Sequence, residues 1–361
     1  MSLELNSMRN ARVIAFYLPQ YFPIPENDEW HGKGFTEWTN VTKAKPMFKG
    51  HYQPILPSEL GFYDLRVPET RKAQADLARE YGVEAFCYWH YWFGAGKRIL
   101  ERPFNEVLES GEPDFPFCLA WANASWTGIW YGMQNNMLLE QKYLGEQEDT
   151  EHFYFLLKAF KDSRYLRVNN KPLFFIYAPL DHPDVQNFMR LWQKLAQKEG
   201  LDGVFFVGAL WGSEDLPNFS GTARIDPFEL PGQSKLNKAI SLIKQRFFGY
   251  PRRIVDYDDV VECLKNRALK ENEFPVITPN WDNTARSGSR GSVITNSTPE
   301  KFDLMLKNAI KKIERRDPDE RIIFVEAWNE WAEGNYLEPD IKFGRGFLEA
   351  IRKNIFSALS T

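Results

Sequence analysis

The chain is poor in the residues that build metal and redox sites. Its five histidines, at 31, 51, 90, 152 and 182, form no His-x-x-x-His pair, which argues against a histidine-built zinc site. Calcium held by scattered carboxylates is the one metal left open, and the expectation is a protein with no metal and no cofactor. Three cysteines, Cys87, Cys118 and Cys263, are odd in number and far apart, and they lack metal spacing. They read as buried thiols of a reducing compartment, which points to the cytoplasm. No Gly-x-Ser-x-Gly elbow, Walker loop or dinucleotide glycine fingerprint is present. No run of about 18 apolar residues offers a membrane-spanning helix. Residues 1–11 lack the apolar core of a signal peptide and read as disordered or tag-derived. Strong charge is missing as well: 45 basic and 49 acidic side chains leave a net charge of −4, so no partnership with nucleic acid is expected.

Aromatic rings are what the chain does have. Its 12 Trp, 15 Tyr and 28 Phe make up 15% of 361 residues, which suits carbohydrate binding as well as a large core. The most telling stretch runs from Arg321 to Gly334. Ile322 to Ala327 is apolar enough for a buried strand. Trp328, Asn329, Glu330, Trp331 and Glu333 then arrive together. Rings stack on the apolar faces of sugars, while carboxylates move protons and stabilise cationic character at an anomeric carbon. If the segment turns helically after the strand, Glu330 and Glu333 share one face, with Cβ atoms roughly 5–6 Å apart. A Glu-x-x-Glu pair on a solvated helix is common and usually inert. This one follows a buried strand, sits between tryptophans and is trailed by Asn335, Tyr336 and Glu338.

Strand and helix signals alternate along the whole chain. Strands are expected at 12–18, 84–93, 115–122, 172–178, 203–210, 224–230, 274–279 and 322–327. Helices are expected at 68–81, 103–109, 150–161, 184–199, 258–271, 299–316 and 340–359. Polar and aromatic residues gather at the C-terminal ends of most strands: Trp89 and His90, Trp121, Asn123 and Trp126, Tyr177, then Trp281 and Asp282. A doubly wound sheet would concentrate them at one switch point, whereas a closed barrel collects them on one face. The fold class is therefore α/β, a single (β/α)8 TIM barrel over residues 12–361. His90 reads equally as a satisfied barrel-mouth histidine or as a substrate ligand. The segment from Gln20 to Arg66 is long, aperiodic and aromatic, and is expected to be a structured lid that brings Trp30 or Trp38 to the cleft. Residues 231–255 carry six basic side chains, no acid, and interleaved apolar residues. They read as a basic amphipathic surface helix, either simply docked on the barrel or touching an anionic membrane or a phosphate-bearing substrate.

Four segments resemble the WbsX-like family over nearly the whole chain. They are Ile14-Ala-Phe-Tyr-Leu-Pro-Gln-Tyr-Phe22, Gly34-Phe-Thr-Glu-Trp-Thr-Asn-Val41, Tyr88-Trp-His-Tyr-Trp-Phe93 and Trp328-Asn-Glu-Trp-Ala-Glu-Gly334. That family is associated with bacterial surface-polysaccharide clusters and is often described as glycosyltransferases. It is more distantly similar to glycoside hydrolase family 99, the endo-α-mannosidase and mannanase group, whose Asn-Glu-Trp-x-Glu-Gly motif matches Asn329–Gly334. The resemblance implies a (β/α)8 barrel acting on an oligosaccharide or polysaccharide. It implies that Glu330 removes the sugar 2-hydroxyl proton and Glu333 protonates the leaving oxygen. A 1,2-anhydro sugar would form and then open with net retention. Glu333 would then have to stay protonated near neutral pH, with Glu330 the better solvated or better hydrogen-bonded of the two. Ala332 stands where family 99 commonly has histidine, and the end of the third strand lacks a carboxylate. Tyr17, Trp38, Trp89, His90, Trp121, Asn123, Trp126, Tyr177, Trp281, Asp282, Asn329 and Trp331 are the candidate substrate-binding residues, and Asp282 is the alternative nucleophile. The functions to weigh are an endo-α-glycosidase or transglycosidase, a glycosyltransferase of lipopolysaccharide O-antigen synthesis, and a catalytically silent carbohydrate-binding barrel. Localisation is expected in the cytoplasm, with peripheral contact to the inner membrane through residues 231–255.

Overall fold

A computed structural model describes residues 9–128, 137–212, 214–226 and 235–356, with side chains described from residue 241 onward in the last segment. The expectations for 1–8, 227–234 and 357–359 lie outside these residues. Seven strands are continuous: β1 (Arg12–Tyr17), β2 (Val83–His90), β3 (Phe117–Trp121), β4 (Lys171–Ile176), β5 (Phe205–Leu210), β6 (Gly221–Arg224) and β8 (Ile322–Val325). Pro275 splits β7 into Glu273–Phe274 and Val276–Ile277, because proline has no N–H to give to the ladder. The first half pairs with β6 and the second with β8, and every neighbour around the ring is parallel. The sheet therefore closes into a barrel across the proline, whose carbonyl still accepts from Phe324 N–H at 3.0 Å.

Barrel helices are α1 (Pro68–Glu80), α2 (Arg102–Ser110), α3 (Glu146–Phe160), α4 (Val185–Lys198), α5 (Lys235–Phe248), α6 (Tyr257–Asn266), α7 (Pro299–Ile313) and α8 (Gly346–Ile355). Their starts follow the local chemistry. Pro68 occupies the first turn of α1, Asp184 caps α4 through Asn187 N–H at 3.0 Å, and Thr298 caps α7. Strand six lies earlier than expected, at Gly221–Arg224. The connection from β5 to β6 carries no helix among its described residues. Among the described residues no helix is long and apolar enough to cross a membrane.

The barrel interior is filled with rings. Phe16 on β1 meets Phe175 on β4 edge-on, with centroids 5.1 Å apart, and both touch Phe324 on β8. β1 and β4 are not hydrogen-bonded neighbours, so this contact crosses the barrel axis. Alternate residues of the same strands face the helices. Phe174 packs on Trp192 of α4, which is fully buried among Phe153, Phe160, Phe188 and Phe206. Each such ring contributes about 1.5–3 kcal/mol by leaving water. At the opposite end from the strand C-termini, Arg12 ties β1 to Glu84 and Asp319 at 2.9 and 2.8 Å.

The segment after β1 is structured, as expected, but it works as a brace. It carries helices Pro25–His31 and Glu37–Lys43. Trp38 is buried against Trp331 and donates to the Tyr63 carbonyl at 2.8 Å, away from the cleft. Trp30 touches Trp126 but does not itself line the cavity. Neither ring lines the cavity itself, though Gln20 of the same segment does, which corrects the expectation that Trp30 or Trp38 would be brought to the cleft. The physical reason is that the turn after β8 has a wide apolar underside, and Trp38, Tyr21 and Tyr63 cover it.

Candidate active site

The C-terminal ends of all eight strands surround one cavity of about 1030 Å³. That volume suits several sugar rings. Its wall holds Trp89, Tyr91, Trp126, Tyr177, Trp211 and Trp281, and its polar floor includes Asp226, Glu326, Glu330 and Glu333. Trp89 is held rigidly: it stacks on Phe16 at 4.9 Å and meets Tyr177 edge-on at 5.5 Å.

After β8 the chain makes a short antiparallel pair, Asn329–Glu330 against Asn335–Tyr336, closed by a 3₁₀ turn over Trp331–Glu333. The turn is tighter than the helix anticipated, but it still sends both carboxylates to the cavity. Several contacts hold it. Asn329 accepts from Leu18 N–H at 2.7 Å and donates to the Leu18 carbonyl at 3.0 Å, clamping the turn to the end of β1. Tyr21 hydroxyl donates to the Asn329 carbonyl and accepts from Trp331 N–H at 3.1 Å. Asp282 N–H donates to the Glu333 carbonyl at 2.5 Å. Gly334 ends the turn at φ +59°, where an added Cβ would stand 2.9 Å from the Asp282 Cβ. Gly334→Ala is therefore expected to lower stability by roughly 1–3 kcal/mol, measured as a lower urea midpoint at unchanged m. An unchanged midpoint would mean that the turn relaxes freely.

One guanidinium organises the acids. Arg286, on the short helix Thr284–Ser287, donates Nη1 to Glu333 at 2.6 Å, Nη2 to Glu330 at 3.0 Å and Nε to Glu37 at 3.0 Å. Two nitrogens on one carbon hold Glu330 and Glu333 side by side on one wall. Asp282 supports that helix. Its Oδ1 accepts from Thr284 N–H at 3.0 Å, and its Oδ2 is taken by His51 at 2.6 Å and Gln53 at 2.7 Å.

Glu330 and Glu333, sharing one cation in a buried site, cannot both ionise cheaply. Burial raises the pKa of Glu330 to about 8; Arg286 opposes this, and Glu333 and Glu37 add to the rise. Glu333 is also pushed up by burial, against the pull of Arg286. Glu326, deeper in the floor, is raised well above the carboxylate range by burial and by the other two acids. Glu333 has the shorter bond to Arg286, 2.6 against 3.0 Å, and the more exposed side chain, so it and not Glu330 is the better hydrogen-bonded and better solvated acid, the reverse of what the resemblance implies.

Of the expected binding residues, Trp89, Trp126, Tyr177 and Trp281 line the cavity beside Glu330 and Glu333. The other eight lie behind its wall. Tyr17 points outward and donates to Gln74 at 2.6 Å. His90 pairs with His152 at 2.9 Å in the helix layer, and burial lowers its pKa to about 3. Trp121 is buried beside Phe188 and donates to the Trp92 carbonyl at 2.9 Å. Asn123 bridges to Ala178, donating at 2.7 Å and accepting at 2.7 Å. Trp38 lies in the brace, and Trp331 stacks on Tyr336 while donating to Glu338 at 2.6 Å. Asn329 and Asp282 spend their polar atoms on the contacts above. These eight can shape the site but do not face a ligand in the cavity. Arg286, Glu37, Glu326, Asp226, Tyr91 and Trp211 were not anticipated. Among the described residues no group of three His, Cys, Asp or Glu side chains could hold a metal ion.

Against known families, residues 13–351 match the family described as Glycosyltransferase WbsX. The chain belongs to the WbsX family. Within it, the chain is 35% identical over 353 residues to the WxcX proteins of two Xanthomonas campestris pv. campestris strains, covering 96% of this chain. It spans about half (50%) of the length of those curated relatives. Among solved structures, a glycoside hydrolase family 99 endo-α-mannosidase from Bacteroides thetaiotaomicron matches with a TM-score of 0.55 at 17% identity, over 95% of both chains. A glycoside hydrolase-like protein matches with a TM-score of 0.58 at 12% identity, over 96% of this chain and 94% of that one. These likenesses agree with the barrel described above.

Proposed function

We propose that this WbsX-family barrel is a retaining endo-α-glycosidase or transglycosidase that works through a 1,2-anhydro sugar. The observation that carries the reading is the placement of Glu330 and Glu333 on one turn, gripped by one arginine and facing one aromatic cavity. An ordinary retaining pair flanks the scissile bond from two sides. Two acids on one side suit a sugar that supplies its own nucleophile. Glu330 takes the 2-hydroxyl proton, the 2-oxygen bonds to C1, and the C1–leaving-oxygen bond breaks as Glu333 donates its proton. Water or an acceptor hydroxyl then opens the three-membered ring at C1, with Glu333 as base and Glu330 returning a proton to O2. Each inversion reverses the other, so the anomeric configuration is retained. The acids need one proton between them, which is what burial against a single arginine favours. A 2-hydroxyl donating to Glu330 stabilises its ionised form and moves the shared proton to Glu333. Trp89, Tyr177 and Trp281 supply stacking faces.

The family description favours transfer as a second reading, with a glycan acceptor in place of water. We propose a role in bacterial surface-polysaccharide metabolism, with lipopolysaccharide O-antigen synthesis as the setting of the transferase reading, in the cytoplasm and peripheral to the inner membrane. The test is a screen of α-linked oligosaccharides and activated glycosides, with the anomeric outcome followed by NMR. Retention is expected, together with at least a hundredfold poorer turnover of the matching 2-deoxy substrate. Normal turnover of a 2-deoxy substrate, or net inversion, would exclude the anhydro route. Binding without turnover of any α-glycoside would leave a carbohydrate-binding barrel.

A further inference from the structure

The mouth of the cavity has an unusual side. Among its described side chains, two residues four apart, one turn of one face, anchor helix α5. Ser241 donates to the Arg252 carbonyl at 2.7 Å, and Gln245 donates to the Ser289 carbonyl at 2.6 Å. With about 100° per residue, Ile243 and Phe247 must then point the opposite way. They do: Phe247 is 76% exposed, and Ile243, Leu242 and Phe248 are exposed too. A surface cluster of four large apolar side chains on one helix marks a contact site. Exposed Lys244 and Arg246 flank it.

The two anchoring contacts also bring arginines to the helix. Arg252 and Arg290 are exposed, line the cavity, and have no ion-pair partner among the described residues. Leu242 lines the same cavity as the two arginines, and Ile243 and Phe247 continue from it around the helix to the exposed side, so Leu242 joins the apolar face to the cleft. A neutral glycan offers the guanidiniums no anion and the apolar face no hydrocarbon chain. Guanidinium forks match phosphate oxygens, and an apolar strip beside them matches a hydrocarbon chain.

We propose that this mouth takes the carrier end of the substrate: a long apolar chain joined to the glycan through a phosphate or diphosphate. The chain lies along Leu242, Ile243 and Phe247, the phosphate sits between Arg252 and Arg290, and the sugars enter the cavity. This rests on the glycan-active reading and names its substrate class.

Calorimetric titration with farnesyl diphosphate, farnesol and inorganic pyrophosphate tests it on the whole chain. Farnesyl diphosphate is expected to bind at least tenfold more tightly than either fragment. Arg252→Ala with Arg290→Ala should weaken it at least tenfold, and Ile243→Ser with Phe247→Ser should do likewise. Pyrophosphate binding as tightly as farnesyl diphosphate would overturn the proposal, since the apolar face would then be idle. So would phosphatidylglycerol vesicles binding while farnesyl diphosphate does not, which would assign the face to a bilayer surface. Self-association abolished by Phe247→Ser, again without farnesyl diphosphate binding, would assign it to a second copy. The glycosidase reading is tested separately by turnover of water-soluble glycosides, so the two can fail independently.

Discussion

Glu333→Gln is expected to slow cleavage of a natural glycosidic bond by about 10²–10⁴-fold and to recover most of that loss on a substrate with a good leaving group. Glu330→Gln should lose as much and recover nothing. The asymmetry comes from what each proton does. The acid's proton matters only while the leaving oxygen needs it, and a nitrophenolate or fluoride leaves without it. The base's task, freeing the 2-hydroxyl oxygen to attack, is the same whatever departs. The test is informative because burial raises the pKa of both acids, Glu330 to about 8, so the proton they share is not assigned by burial alone. If Glu330→Gln were the variant rescued, the roles would be exchanged. If both variants kept full turnover, neither carboxylate would be catalytic. A pH–rate profile alone would not separate these cases, since the two acids titrate as a pair. Glycan affinity should survive in both variants, because Trp89 and Tyr177 are untouched.

How far the sequence led can be judged from strand parity. Its alternation and strand-end rings were enough to reach a barrel with an aromatic face. It did not separate the two sides of each strand. On β2, Trp89 faces the axis and is followed inward by Tyr91, while Tyr88, His90 and Trp92 face the helices. On β1, Phe16 and Leu18 line the cavity and Tyr17 does not. Counting by twos would have removed Tyr17, His90 and Trp121 from the expected site. The same count from Phe324 points to Glu326, which passes unnoticed in an apolar strand. Asn329 and Asp282 were misplaced for another reason: short polar side chains beside a catalytic turn are as useful for holding it as for holding a ligand. Arg286 had no local signal. It lies 44 and 47 residues before its two carboxylates, and 249 after Glu37, so only the closed fold brings them together. The basic character of 231–255 was legible, but the exposure of Phe247 and Phe248 depended on which face α5 turned to the barrel.

Arg286→Met is expected to have the largest effect on stability, and the effect should depend on pH. The substitution keeps the volume of the stem and removes the only cation bonded to Glu37, Glu330 and Glu333 among the contacts described. Stranding buried charge in this way costs about 3–5 kcal/mol. The sign follows from linkage. Glu330 and Glu333 already have folded-state pKa values above their ordinary 4.5, so protonated they stabilise the fold. That contribution is complete below the unfolded value and is lost as pH rises through the folded one. Arg286 opposes the rise at both residues, so its removal drives both values further up. At pH 5 the variant's acids take up protons and the penalty is small. Toward pH 8 and above they must ionise without a partner, and the gap between variant and wild type should widen. Urea unfolding at pH 5 and pH 8.5 reads this directly. Arg286→Lys should restore part of the stability at high pH, since it returns the charge. It should not restore turnover, since a single ammonium cannot hold two carboxylates in a fixed fork. A penalty equal at both pH values would mean that Arg286 acts through packing, and the shared-proton site would then lose its electrostatic basis.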